Sequence, residues 1–177
     1  MDLIIAISTI ILSAFFSGIE IAFVSSNKLQ LELDKGSEKI SSKIISFFSR
    51  NESSFITTML IGNNISLVIY GIAMTKLLTP LFENYFLDTY VLLLFQTIIS
   101  TLIILVTAEF LPKSIFKLFP NTTLRFFSFP ICCFYILFYP FAMFFLNGSK
   151  FIMRIFLGQN LSENKHFFNK TDLDEYL

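Results

Sequence analysis

Three stretches of the chain, about Leu3 to Ser26, Phe55 to Leu78 and Tyr90 to Phe110, are apolar over the roughly 20 residues that a helix needs to cross a bilayer. Each also holds side chains that a bilayer penalises. Glu109 sits in the third and is followed closely by Pro112 and Lys113, Gly62-Asn63-Asn64 interrupts the second, and Ser13, Ser17 and Glu20 interrupt the first. An ionisable group at membrane depth costs roughly 2.5–3.5 kcal/mol on insertion scales. Backbone groups in lipid must be satisfied within the segment, so such stretches fold as helices. The pattern predicts an all-α membrane protein whose helices turn their polar groups toward one another.

Composition agrees, since 54% of the residues are hydrophobic, beyond the usual range of soluble domains. Formal net charge is zero, which gives no electrostatic reason to expect a nucleic-acid partner. The two cysteines, Cys132 and Cys133, are adjacent and lie in an apolar run, so they read as small packing or lipid-facing residues. Met1-Asp2 runs straight into apolar sequence without a basic region or a clear cleavage site. The first stretch therefore reads as a retained helix, not a cleaved signal.

Basic residues set the expected orientation. Lys28, Lys35, Lys39, Lys43 and Arg50 lie between the first two stretches, whereas Thr79 to Thr89 has no Lys or Arg. Lys113, Lys117 and Arg125 follow the third stretch. The positive-inside rule places the N-terminus outside and the first connection in the cytoplasm. A fourth apolar stretch, Leu124 to Leu146, contains Pro130 and Pro140 and is followed by Lys150 and Arg154. A full crossing would leave these basics outside. The favoured expectation is a Pro-bent re-entrant or interfacial hairpin, and the alternative is a fourth ordinary crossing.

Within the first connection, Ile40, Ile44, Phe47 and Phe48 fall at i, i+4, i+7 and i+8, with Lys39, Ser42, Lys43, Ser46 and Arg50 on the other side. This predicts an amphipathic helix at the membrane surface, separated by Gly36 from a turn or short helix over Lys28–Lys35. From Gly158 the chain is polar, and Thr171 followed by acidic residues reads as a helix start. The expected domains are a membrane domain over residues 1–157 and a cytoplasmic linker over 158–177 leading to a further soluble domain. The membrane domain has spans near 3–26, 55–78 and 90–118 and juxtamembrane parts at 28–50 and 121–157.

The polar groups have a chemical theme. Ser13, Ser17 and Glu20 share one helical face at i, i+4 and i+7, and Gly18 permits close approach of a neighbour. The alternative for the serines is a packing seam with hydroxyls bonded to their own backbone. Gly and Asn are poor helix residues, so Gly62-Asn63-Asn64 predicts an unwound or interhelical site. Pro112 has no amide hydrogen and so frees the carbonyl of Ala108, beside Glu109. Lys113 is either a counter-ion for Glu109 or snorkels to the surface. All these donors are oxygens, which suits Mg²⁺, Ca²⁺, Mn²⁺ or Na⁺ over zinc or copper. Broken helices that offer backbone oxygens are a transporter device.

Three blocks, the run from Ser13 to Phe23, Leu60-Ile61-Gly62-Asn63-Asn64 and Glu109-Phe110-Leu111-Pro112-Lys113, occur in an order and spacing that resembles the transmembrane domain of the CorC/CNNM magnesium-transport family. The resemblance covers nearly the whole chain. It implies a homodimer with three transmembrane helices per subunit, an intramembrane Mg²⁺ site, export linked to Na⁺, and a CBS-pair nucleotide-binding domain after the membrane part. Carried over residue by residue, it implies Ser13, Ser17, Asn63 and Glu109 as ligands, with Asn64, Glu20 and the Gly62 and Ala108 carbonyls as secondary candidates. The family commonly has Gly where this chain has Ala108.

The expected function is Mg²⁺ transport by an integral protein of a bacterial plasma membrane. The alternative is a membrane regulator or scaffold whose polar groups serve packing alone. Enzymatic hydrolysis wants a nucleophile with a base or a His-bearing metal site, and the single histidine, His166, lies in the polar tail.

Overall fold

A computed structural model describes residues 1–27, 40–85 and 88–157. The expected turn over Lys28–Lys35, His166 and the linker over 158–177 lie outside the described residues. Two units are distinguished, Met1–Met143 and Phe144 onward.

Every regular element among the described residues is helical. Helix α1 spans Asp2–Ser25, α2 Ile40–Arg50, α3 Glu52–Phe82 and α4 Thr89–Ile104. A π-helical turn, Leu105–Phe110, joins α4 to α5, Leu111–Leu118. Helix α6, Pro120–Phe126, precedes α7, Ser128–Leu157. Asp88 caps α4 by accepting the amide of Tyr90 at 2.9 Å.

Four helical stretches are long and apolar enough to cross a membrane: Asp2–Ser25, Glu52–Phe82, Thr89–Leu118 and Ser128–Phe156. The third continues past Pro112 to Leu118, as expected. The fourth differs from the hairpin reading. Ser128–Leu157 is one helix that runs on through Pro140, and Pro130 falls in its first turn. Breaks in the helical run occur earlier, at Phe119 and Phe127, which are non-helical at either end of α6. A proline removes one ladder bond, and a long apolar helix tolerates that loss.

Helix α1 is the centre of the first unit. It packs along α3 and also meets the π turn, α5 and α6. Its buried positions Ala6, Thr9, Ser13, Phe16, Ser17 and Phe23 recur at helical spacing. Phenylalanine fills most of the core: Phe23 lies 4.3 Å from Phe55 between ring centroids, Phe48 4.7 Å from Phe55, and Phe16 meets Phe134 edge-on at 4.9 Å. The first half of α7 joins this core through Ile131 and Tyr135, whose hydroxyl lies 3.2 Å from that of Ser54. Cys132 packs against the same core and Cys133 is exposed; both are free thiols.

Helix α2 forms as expected, but rotated. Ser42, Ile45, Ser46 and Phe48 are buried, while Ile40 and Phe47 face outward with Lys43 and Arg50. The small serines let α2 sit close to the bundle, and the outward face becomes a mixture of apolar and basic side chains.

Candidate functional site

The polar residues of α1 reach across to two other elements. Ser13 and Ser17 are fully buried, and Asn63 is only 8% exposed. The Ser13 hydroxyl donates to Asn63 Oδ1 on α3 at 2.6 Å. One turn along, the Ser17 hydroxyl donates to the main-chain oxygen of Ala108 in the π turn. Its contact to its own helix, at Ala14 O, is long at 3.4 Å. By contrast Thr9, a turn earlier, bonds back to Ile5 O and Ala6 O at 2.9 Å. The packing-seam alternative thus fits Thr9, while the two serines make interhelical bonds.

The Ala108 oxygen is available for the reason read in the sequence. Pro112 would carry its α-helical donor and has none. The ladder widens there, with the Leu111 amide donating to Val106 O in the i→i+5 pattern. A π turn is a right-handed helical conformation open to any L-residue, so Ala108 fits its fully buried place without needing the conformational freedom of glycine.

Of the two expectations at Gly62-Asn63-Asn64, unwound or interhelical, the structure shows no unwinding, and Asn63 bonds across to α1. Helix α3 is continuous from Glu52 to Phe82. Gly62 serves packing: an added Cβ would lie 2.6 Å from the Phe16 ring. Its carbonyl accepts the Ser66 hydroxyl at 2.9 Å, a bond within its own helix. Asn63 points into the bundle, and Asn64, one position on, is exposed. Gly18 likewise makes room for a side chain, since an added Cβ would collide with the Phe116 ring. Sequence reading found both glycines but not the rings of Phe16 and Phe116 that fill them, because such contacts are set by helix packing.

Glu109 is half-buried and lies 3.6 Å from Lys113 Nζ, which is also partly exposed. Of the two alternatives for Lys113, the pairing with Glu109 is the one the structure places. Glu20, half-buried on α1, is within electrostatic reach of both Lys113 and Glu109. An open groove of about 480 Å³ is lined by Leu105, Val106, Glu109, Phe110, Lys113 and Ser114. Ser13, Ser17 and Asn63 lie outside that lining. Ser114 was not among the residues expected at the site. Among the described residues no group of three or more His, Cys, Asp or Glu side chains is placed to hold a metal.

The arrangement therefore has two parts. In the buried interior one hydroxyl of α1 pairs with an amide oxygen of α3 and another, one turn along, pairs with a carbonyl of the π turn. Next to them, a carboxylate opens on a groove beside a lysine. The chain matches the description "Cyclin M transmembrane N-terminal domain" over residues 4–177. It belongs to the cyclin M (CNNM) transmembrane family. A CNNM domain is membrane-embedded by definition, which agrees with the exposed Ile, Leu, Val and Phe side chains along the apolar helices. The chain is also similar to a UPF0053 protein of Mycoplasma genitalium, 28% identical over 148 residues, covering 79% of this chain and 34% of that protein. The CNNM domain thus spans about a third of the length of the relative it matches.

Proposed function

We propose that this CNNM domain is the membrane part of a Mg²⁺ transporter, and that Ser13, Ser17, Asn63, Glu109 and the Ala108 carbonyl supply oxygens to the ion. The observation that carries this reading is the pair of interhelical bonds Ser13–Asn63 and Ser17–Ala108, made from one face of α1. Each serine spends its proton on its partner, so the lone pairs of its oxygen remain for a cation. Hydroxyl, amide and carboxylate oxygens suit a hard divalent ion. Glu20 and Asn64 hold weaker claims, because Glu20 sits with the Glu109–Lys113 pair and Asn64 is exposed.

In the working cycle the ion enters from the cytoplasm. It exchanges water for these oxygens, and a shift of α1 against the π turn opens the site to the other side for export, with Na⁺ as the exchanged ion. The N-terminus lies outside and the connection bearing Lys43 and Arg50 is cytoplasmic, in a bacterial plasma membrane. The unit is a homodimer. In support, the amide of Asn64 is exposed on the outer face of α3 beside Leu60 and Val68, where a single chain would present it to lipid. A CBS-pair domain on the cytoplasmic side of the longer protein gates transport.

The test is Mg²⁺ flux in proteoliposomes with Glu109→Ala. Flux should be abolished while the protein stays monodisperse. Flux equal to the unchanged protein would overturn the assignment. One observation favours a second reading, a non-transporting regulator: the Ser13 and Ser17 protons and the Glu109 charge already have partners within the chain. Absence of any Mg²⁺ flux from the unchanged full-length protein would support it.

A further inference from the structure

The outward face of α2 carries features that the ion site does not use. Lys43, Ser46, Phe47 and Arg50 line an open groove of about 210 Å³. They stand at i, i+3, i+4 and i+7, so they follow one another along a single helical stripe. Lys43 and Arg50 are exposed, and neither has an ion-pair partner among the described residues. Ser46 is more than nine-tenths buried, and its hydroxyl has no hydrogen-bond partner among the described residues. Phe47 is 51% exposed, and its ring is held edge-on against Phe48 and Tyr135 at 5.9 Å. Ile40, a turn earlier, is 76% exposed.

We propose that this groove binds the headgroup of an anionic phospholipid, with Lys43 and Arg50 clamping the phosphate, Ser46 donating its hydroxyl to it, and Phe47 and Ile40 seated against the glycerol and upper acyl chain. Charge complementarity selects this occupant. Two unmatched cations flank an unspent hydroxyl on a largely buried serine, and an apolar edge lies beside them where a protein at the bilayer surface meets lipid. Arg offers a phosphate two parallel N–H bonds, and Lys adds a point charge. The core contacts of Ile45 and Phe48 fix the helix, so the groove is preformed. The inference is independent of the ion site.

The experiment is native mass spectrometry and thermal unfolding of the purified full chain in detergent, titrated with phosphatidylglycerol, phosphatidylcholine or inorganic phosphate. Phosphatidylglycerol should bind roughly thirty-fold more tightly than phosphatidylcholine, the effect of two basic residues near a lipid surface. Lys43→Gln combined with Arg50→Gln should erase the difference, while Lys43→Arg should keep it. If the double variant is not monodisperse, Arg50→Gln alone, at the exposed end of the helix, carries the same test through a several-fold loss. Equal binding of the two lipids would overturn the proposal, as would a preference that survives the charge removal. Displacement of phosphatidylglycerol by millimolar inorganic phosphate would also overturn it, by showing a free-anion site.

Discussion

The hydroxyl of Ser17 donates to the main-chain oxygen of Ala108, 91 positions away in the chain. Pro112 leaves that oxygen without its helical donor, and a buried serine from another helix takes the vacant place. The bond ties α1 to the π turn that bears Glu109. It therefore links the interior oxygens to the carboxylate groove.

Ser17→Ala removes the hydroxyl and leaves a buried carbonyl without a partner. Such a loss costs about 1–3 kcal/mol. Thermal unfolding in detergent should show a lower midpoint. Any stabilisation by added Mg²⁺ should shrink as well, whereas Thr9→Ala, whose hydroxyl bonds only within α1, should leave the Mg²⁺ effect intact.

Pro112→Ala restores an amide donor near Ala108. The ladder can then close as ordinary α-helix, and the serine must compete for the oxygen. Stability should hold or rise while Mg²⁺-dependent stabilisation falls, although no proposed ligand side chain has changed. A variant with unaltered Mg²⁺ response would separate the π turn from ion binding.

Glycines at two positions of α3 should respond with opposite sign. Gly62→Ala drives a Cβ to 2.6 Å from the Phe16 ring, and overpacking of this kind costs typically about 1–3 kcal/mol. Gly71 has nothing within 4 Å of an added Cβ. Gly71→Ala should therefore stabilise the helix by roughly 0.5–1 kcal/mol. Unfolding midpoints of the two variants, measured side by side, check the prediction.

Lys113→Gln breaks a partly exposed ion pair at 3.6 Å. Exposed pairs contribute little, so stability should change by less than about 1 kcal/mol. Glu109 would lose a cation that competes with the ion. Apparent Mg²⁺ affinity, read by titration calorimetry or by thermal shift, should increase.

The membrane helices were legible in the sequence because lipid forces each apolar stretch to satisfy its own backbone. Length and composition therefore sufficed for α1, α3 and the continuous helical stretch Thr89–Leu118. The freed carbonyl of Ala108 was legible too, because the consequence of a proline is local. The course of the chain after Leu124 was not. Charge counting favoured a hairpin, yet α7 continues through Pro140, because one missing ladder bond is a small defect in a long helix. At Gly62-Asn63-Asn64 the interhelical alternative fits and the unwound one does not: the helix is intact, the Phe16 ring fills the notch at Gly62, and Ser13 satisfies Asn63.

By itself the sequence determined that the chain is helical, that it belongs in a membrane, and which oxygen-bearing side chains interrupt its apolar runs. These properties depend on transfer free energies and on bonds within a few residues, which the order of side chains fixes. Only the tertiary structure decided that Asn63 turns inward and Asn64 outward, that Ser17 spends its proton on Ala108, and that α2 buries its serines and shows Phe47 to the outside. Those outcomes depend on how helices far apart in the chain rotate against one another, and that rotation is set by the fit of whole packed surfaces.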